Sequence, residues 1–299
     1  MLKYKPKMLS EIRASIVPFL DYLTEEKKYS QNTLLAYTSD LNQLIDYIES
    51  AVPEEEQTGL RLDAKLLSGY LDSLKGKGYK PSSVARKVAA AKSFIAFLLE
   101  KGKLQDDLTP ILTSPKVRKP IPKPLSVSDI RNLLAEPAKL STPEAKRDKA
   151  MLELLYATGL RASELMALNV KDINLKKNTV KCVSRGSRTR VIPIDDKVAQ
   201  VIKEYRDNAR LQLTKDEKET ALFVNRRGER LTRQGFWQIV QYYANKAGLD
   251  IKVTPRNIRH SFAVQKLKGG ADLQSVKELL GHAHVSTTKA YTQIEHTAD

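Results

Sequence analysis

The sequence predicts a mainly α-helical chain in two domains: a small N-terminal four-helix bundle, then a larger, mostly helical domain with one small β-sheet. Three observations carry that expectation. Apolar residues recur at helical spacing in four blocks within the first hundred residues. A basic, proline-rich stretch over 109–124 separates those blocks from the rest of the chain. Beyond it, one pair of β-branched runs interrupts a further series of helical blocks. With 299 residues, 41% of them apolar, the chain can bury a core in each domain. The expected boundaries are 1–108, 109–124 and 125–299.

The elements run in this order. Ile12, Ile16, Phe19, Leu20 and Leu23 mark the inner face of a first helix. Ser30 caps a second, with Leu34, Tyr37, Leu41, Leu44, Ile45 and Ile48 inward. A polar loop over 52–59 leads to Asp63, the cap of a third helix that buries Leu66, Leu67, Tyr70, Leu71 and Leu74 and ends at Gly76 and Gly78. Pro81 or Ser82 opens the fourth, with Val84, Val88, Ala91, Ile95 and Leu98 inside. In the linker, Pro110, Pro115, Pro120, Pro122 and Pro124 keep the chain extended. Lys116, Arg118, Lys119 and Lys123 between them suit a strap along phosphates, and the composition fits a solvated spacer equally well.

Past the linker, Ser126 or Ser128 starts a helix through Leu134. A longer one runs from Pro143 to Thr158, Gly159 breaks it, and Arg161 to Leu168 forms the next. Thr179–Val183 and Arg190–Ile194 read as a hairpin with its turn at Gly186. Further helices are expected near 196–210, 232–247, 255–268, 272–280 and 286–294.

A net charge of +16 favours a polyanionic partner, and nucleic acid is the commonest. The plainer alternative is a generally basic surface. Cys182 is the single cysteine, so no intrachain disulfide can form; it reads as a small buried hydrophobe in a reducing compartment. No apolar run reaches membrane-spanning length, and no apolar signal region follows Met1–Lys7. The expected location is cytoplasmic, without a membrane partner.

The residues that could carry chemistry concentrate in the second domain, and they include neither a metal-ligand cluster nor a phosphate-cradling glycine loop. Arg161 opens a helix just after a glycine break, where free N–H groups already favour anions. Glu164, three residues on, can orient its guanidinium; an ordinary surface pair is the plainer reading. Arg256, Arg259, His260 and Ala263 share one stripe of a helix opened by Thr254-Pro255. Such a stripe looks like a poor core element and a good phosphate-facing one. His282 follows Gly281 and can donate to a phosphate oxygen or shuttle a proton near neutrality, or simply cap helix carbonyls. Tyr291, on a short helix capped by Ser286, is a weak acid that needs nearby positive charge before it can attack. Two arginines at the phosphate would supply that field.

Together these segments resemble the tyrosine recombinase (phage-integrase-like) family, most closely its Xer branch. Tyr156-Ala157-Thr158-Gly159-Leu160-Arg161-Ala162-Ser163-Glu164-Leu165 is similar to the family's first arginine box. Arg259-His260-Ser261-Phe262-Ala263 is similar to the second. Leu279-Leu280-Gly281-His282 and Ser286-Thr287-Thr288 lead into Tyr291 as the family's nucleophile segment does. The resemblance covers roughly 125–295, and the preceding helices fit the family's SAM-like core-binding domain less specifically.

The resemblance implies a mechanism. Tyr291 attacks the scissile phosphate, forms a 3′-phosphotyrosyl link and releases a 5′-hydroxyl, which then attacks the partner duplex. The link conserves the bond energy, so no cofactor, nucleotide or metal is implied. Arg161 and Arg259 would hold the non-bridging oxygens, with His282 as a further donor and His260 in support. Two positions depart from the family pattern. Arg256 stands where the family has a histidine, and a permanently protonated guanidinium cannot act as general base. Arg185 stands where the family has the lysine that protonates the leaving oxygen; Lys181 on the same strand face is a substitute if the hairpin moves.

The resemblance also implies a C-shaped clamp around duplex DNA carrying a specific recombination site, a homo- or hetero-tetramer on two sites, and a DNA translocase as partner. The function expected is site-specific recombination, with chromosome-dimer resolution preferred. The alternatives are a mobile-element integrase, a DNA-binding accessory protein with attenuated catalysis, and a type IB topoisomerase-like relaxing enzyme.

Overall fold

The computed structural model describes residues 8–52, 62–117, 124–183, 189–216, 218–249, 252–282, 284–289 and 291. The chain divides into two compact units, Met1–Lys119 and Pro120–Asp299. Among the described residues, no helix is long and apolar enough to cross a membrane.

The first unit is helical, with one difference from the expected bundle of four. Its first helix is two: α1 (Met8–Ala14) and α2 (Ile16–Glu25). The break has a covalent cause. Pro18 has no N–H to give the Ala14 carbonyl, and its ring crowds that oxygen. Buried Ser15 sits at the break, its hydroxyl donating to the Glu11 carbonyl at 2.6 Å and accepting from Lys103 Nζ at 2.7 Å. Helices α3 (Gln31–Ala51), α4 (Ala64–Gly76) and α5 (Pro81–Glu100) come next. Ser30 and Asp63 cap α3 and α4 as expected, each accepting from a backbone N–H of the first turn, and Pro81 occupies the first position of α5. The apolar faces meet in one core around Phe19, Leu41, Ile45, Leu67, Tyr70, Phe94 and Ile95.

In the second unit, α6 (Val127–Ala135) begins at a capping box made by Ser126 and Asp129. Helix α7 (Pro143–Thr158) is the spine: Ala150, Met151, Leu152, Leu154 and Leu155 are all inaccessible to solvent. Gly159 ends it in the left-handed region at φ 58°, where a Cβ would also meet the Phe262 ring at 2.4 Å. The short α8 (Ala162–Ala167) comes after it.

The sheet has three antiparallel strands rather than two, in the order β1-β2-β3. The expected hairpin is β2 (Thr179–Val183) with β3 (Thr189–Pro193), and Cys182 pairs with Arg190. The added strand, β1 (Ile173–Asn174), has two residues, too few to show alternation in a sequence. The helix expected near 196–210 runs as α9 (Asp196–Glu204), a π turn over Tyr205–Ala209, and α10 (Arg210–Leu213).

Helices α11 (Arg233–Lys246), α12 (Pro255–Lys268), α13 (Leu273–Leu280) and α14 (Val285–Lys289) are the remaining helices among the described residues. Helix α12 packs on the spine, α7, and buries eight of its residues, including Arg259 and His260. The expectation that its arginine–histidine stripe excludes it from the core is therefore corrected. Arg256 alone of the three charged or titratable residues on that stripe is exposed. Buried cations are tolerated here because carbonyl oxygens and a carboxylate neutralise them.

Candidate active site

The site grows from the end of α13. Gly281 turns left-handed at φ 63° and stops the helix, leaving its last carbonyls without intrahelical donors. Three guanidiniums take them in succession. Arg190 Nε donates to the Leu279 oxygen at 2.9 Å, Arg259 Nη2 to the Leu280 oxygen at 2.6 Å, and Arg161 Nη2 to the Gly281 oxygen at 3.1 Å. The negative end of a helix dipole thus gathers three positive side chains from α12, β3 and the N-cap position of α8.

Glu164 holds the other side of that cluster. Its Oε1 accepts from Arg161 Nη1 at 2.8 Å and Arg190 Nη1 at 3.0 Å. Its Oε2 accepts from Arg190 Nη2 at 2.9 Å and the Arg161 backbone N–H at 2.8 Å, with Arg259 Nη1 at 3.7 Å. Burial alone would raise this carboxyl's pKa, but the hydrogen bonds and charges of Arg190 and Arg161 outweigh it and hold it at about 2. Burial, helped by the charge of Arg161, lowers the Arg259 guanidinium to about 10, which leaves it charged at neutral pH. The reading of Glu164 as one half of an ordinary surface pair does not hold: it is 6% exposed and shared by three arginines.

His282 does not cap carbonyls with its ring. Its backbone N–H closes the turn on the Lys277 oxygen, and the imidazole lies between Arg259 Nη2, 3.1 Å from Nε2, and the Thr288 hydroxyl, 2.9 Å from Nδ1. Burial and the charges of Arg259 and Arg161 push its pKa down to about 4. The ring is therefore neutral at pH 7 in this state. His260 is likewise pushed down to about 4, by burial and by Arg256 and Arg259, and its Nε2 accepts from Arg256 Nε at 3.1 Å.

Tyr291 follows α14 in a turn, its N–H bonded to the Thr288 oxygen at 3.0 Å. Its ring is buried, edge-on to His260 with centroids 4.8 Å apart and stacked on His282 at 6.1 Å and 19°. Burial raises the phenol's pKa, and the charges of Arg259, Arg256 and Arg161 offset only part of that. The arginine field alone does not activate the phenol in this state.

Arg161, Arg256, Arg259, His260, His282 and Tyr291 all line one open cleft of about 520 Å³. Arg161 stands at its rim and Arg259 at its base, with side chains 39% and 8% exposed. Arg233 and Trp237 of α11 line the same cleft and were not singled out in the sequence. Neither was Arg190. Its signal was an arginine on the inward face of the hairpin, opposite buried Cys182. That cysteine is buried as expected, and burial raises its thiol to about 11. Lys181 lies exposed on the outer face of β2. Lys116 is exposed in the first unit. Arg185, Arg118, Lys119 and Lys123 lie outside the described residues.

The chain belongs to the phage integrase family: that family matches residues 123–297, and the phage integrase N-terminal SAM-like domain matches residues 16–102. Tyrosine recombinase XerC of Roseiflexus sp. is 47% identical over 94% of this chain and 89% of the relative. Tyrosine recombinase XerD of Listeria innocua is 38% identical over 92% of both. Among solved structures, XerH site-specific recombinase bound to difH substrate in a pre-cleavage complex has a TM-score of 0.76 at 21% identity, covering 100% of this chain and 98% of that one. That last likeness is one of fold.

Proposed function

We propose that this chain cuts and rejoins duplex DNA at a specific site through a 3′-phosphotyrosyl intermediate. The observation that carries the reading is the meeting, around one cleft, of Tyr291 with Arg161, Arg259 and His282. Tyr291 Oη attacks the scissile phosphorus and gives up its proton as the 5′-oxygen leaves as a hydroxyl, so one P–O bond replaces another and the proton count is unchanged. Arg161 and Arg259 take the non-bridging oxygens, because their positions are set by Glu164 and the α13 carbonyls before substrate arrives. Phosphate entry brings negative charge beside the phenol and displaces water, so orientation rather than a lowered phenol pKa organises the attack.

Relatives named tyrosine recombinase XerC and XerD support the recombinase reading; recombination between paired sites by a tetramer, in the service of chromosome-dimer resolution, is the finer part of the proposal. A DNA translocase as partner belongs to the same reading. The basic stretch over 109–124, as a strap on phosphates between a DNA-binding domain and a catalytic one, is part of the proposal too. Footprinting on genomic fragments identifies the site. The deciding experiment then traps a covalent protein–DNA adduct on a nicked suicide substrate. Wild type forms the adduct and Tyr291→Phe does not; no adduct from wild type on the footprinted site overturns the reading.

A second reading, an accessory DNA-binding protein with attenuated turnover, is favoured by one observation. Arg256, at the family's histidine position, spends its Nε on His260 and offers no base. Under that reading wild type binds its site without cleaving it, and Arg256→His with Arg185→Lys restores cleavage.

A further inference from the structure

Thr288 is the one fully buried hydroxyl in the nucleophile segment among the described side chains, and its Oγ1 lies 2.9 Å from His282 Nδ1. The other ring nitrogen decides what that contact is. His282 Nε2 faces Arg259 Nη2 at 3.1 Å, and a guanidinium only donates. Nε2 must therefore accept, and a neutral imidazole then carries its single proton on Nδ1. Nδ1–H donates to the Thr288 hydroxyl. A proton on Nε2 instead would set two donors against each other beside a buried cation.

Thr288 is also part of the turn that holds Tyr291, since the Tyr291 N–H bonds to the Thr288 carbonyl at 3.0 Å. The same residue thus grips the imidazole with its side chain and the tyrosine backbone with its main chain. Movement of the Tyr291 segment away from α13 takes the hydroxyl off Nδ1 and leaves a half-buried N–H without a partner, which is unfavourable enough to reorient the ring.

We infer that Thr288 is a positioning residue: its hydroxyl holds His282 in the Nδ1–H tautomer, with Nε2 turned to Arg259, only while the Tyr291 segment is docked. The inference rests on the assignment of Tyr291 as nucleophile for its meaning in the reaction, though the tautomer itself stands independently. The device makes the histidine's setting conditional on the presence of the tyrosine it serves. A recombinase gains by that, because a site without its nucleophile in place then also lacks the imidazole acceptor that sets Arg259 Nη2 beside the phosphate.

The test uses the full chain labelled with ¹⁵N-histidine at pH 7. There are four histidines, and His282 is assigned as the signal missing from His282→Gln. In wild type, the expected spectrum has a pyrrole-type Nδ1 and a pyridine-type Nε2, with an Nδ1–H proton that exchanges slowly with water. Thr288→Ser keeps that signature. Thr288→Val, close in shape but without the hydroxyl, loses the protected proton. On the suicide substrate at saturating DNA, Thr288→Val forms adduct roughly ten- to a hundredfold more slowly with unchanged DNA affinity, and Thr288→Ser recovers most of the rate. The inference is overturned by a protonated Nε2 in wild type, by a wild-type spectrum or rate in Thr288→Val, or by a folded Thr288→Ser no better than Val. If wild type forms no adduct but shows the Nδ1–H signature, lost in Val and kept in Ser, the latch stands and the nucleophile assignment falls.

Discussion

Among the described residues, each unit has a buried carboxylate shared by more than one cation, Asp40 in the first and Glu164 in the second, and the two clusters differ in how much charge they leave over. In the first unit Asp40, 1% exposed, accepts from Lys87 Nζ at 2.9 Å and from Arg86, whose guanidinium also donates to the Ala36 oxygen at 3.1 Å. Two cations against one carboxylate leave one positive charge, and Arg86 is 43% exposed, so water screens it. In the second unit Glu164 answers Arg161, Arg190 and Arg259, three cations against one, and two positive charges remain. These lie beside a cleft that Arg233 and Arg256 also line. The first arrangement is closed, with its charges matched nearly within the fold. The second keeps two charges beside an open cleft, and that larger surplus is what the proposed phosphate binding would use.

That comparison breaks most readily at Glu164. Glu164→Gln leaves three guanidiniums to repel one another. The second unit is expected to lose about 3–5 kcal/mol, seen in chemical denaturation. Adduct formation should fall about a hundredfold at saturating DNA. Wild-type cleavage in that variant would mean that the arginines need no organiser. Arg190→Ala comes next. It removes the clamp on Glu164 and the Leu279 oxygen without touching the cleft lining, so the rate of adduct formation should drop about tenfold while DNA affinity holds. A loss of affinity with an unchanged rate would instead make Arg190 a DNA contact.

Acid sharpens the same contrast. All four histidines lie beyond residue 259, so the first unit has none. His260 and His282 have folded pKa values of about 4, below the unfolded value of about 6.5. As pH falls the unfolded chain therefore takes up protons first. Their contribution is complete above about pH 6.5 and is lost by about pH 4, a decline on the order of a few kcal/mol. Glu164, held at about 2, extends the loss below about pH 4. Melting followed from pH 8 to 4 should show the second unit's transition falling; a flat profile would mean that the two histidines are not held neutral. The smallest effect on cleavage belongs to Asp40→Asn, which leaves buried Lys87 without its carboxylate and should lower the first unit's stability by about 3 kcal/mol while adduct formation is unchanged.

Most of the architecture could be read from the chain because its signals are local. Caps at Ser30, Asp63 and Ser126, helix ends at Gly159 and Gly281, and the helix start at Thr254-Pro255 act through neighbouring backbone groups. The split at Ser15 was equally local and lay in Pro18, whose effect falls four residues upstream of itself. The segments that carry Arg161, Arg259, His282 and Tyr291 were likewise marked by sequence, as ordered boxes.

Tertiary structure alone decided how those residues are held. Arg190 reaches Glu164 across 26 positions, and Arg259 reaches the Gly159 carbonyl across 100. Periodicity carries no record of such pairings, since hydrophobic spacing reports which face is buried and not which carbonyl a buried guanidinium will find. The same limit explains α12, where an arginine and a histidine read as phosphate-facing and unsuited to a core are buried. A charged side chain can enter a fold's interior once distant oxygens converge on it, and that convergence exists only after the chain has folded.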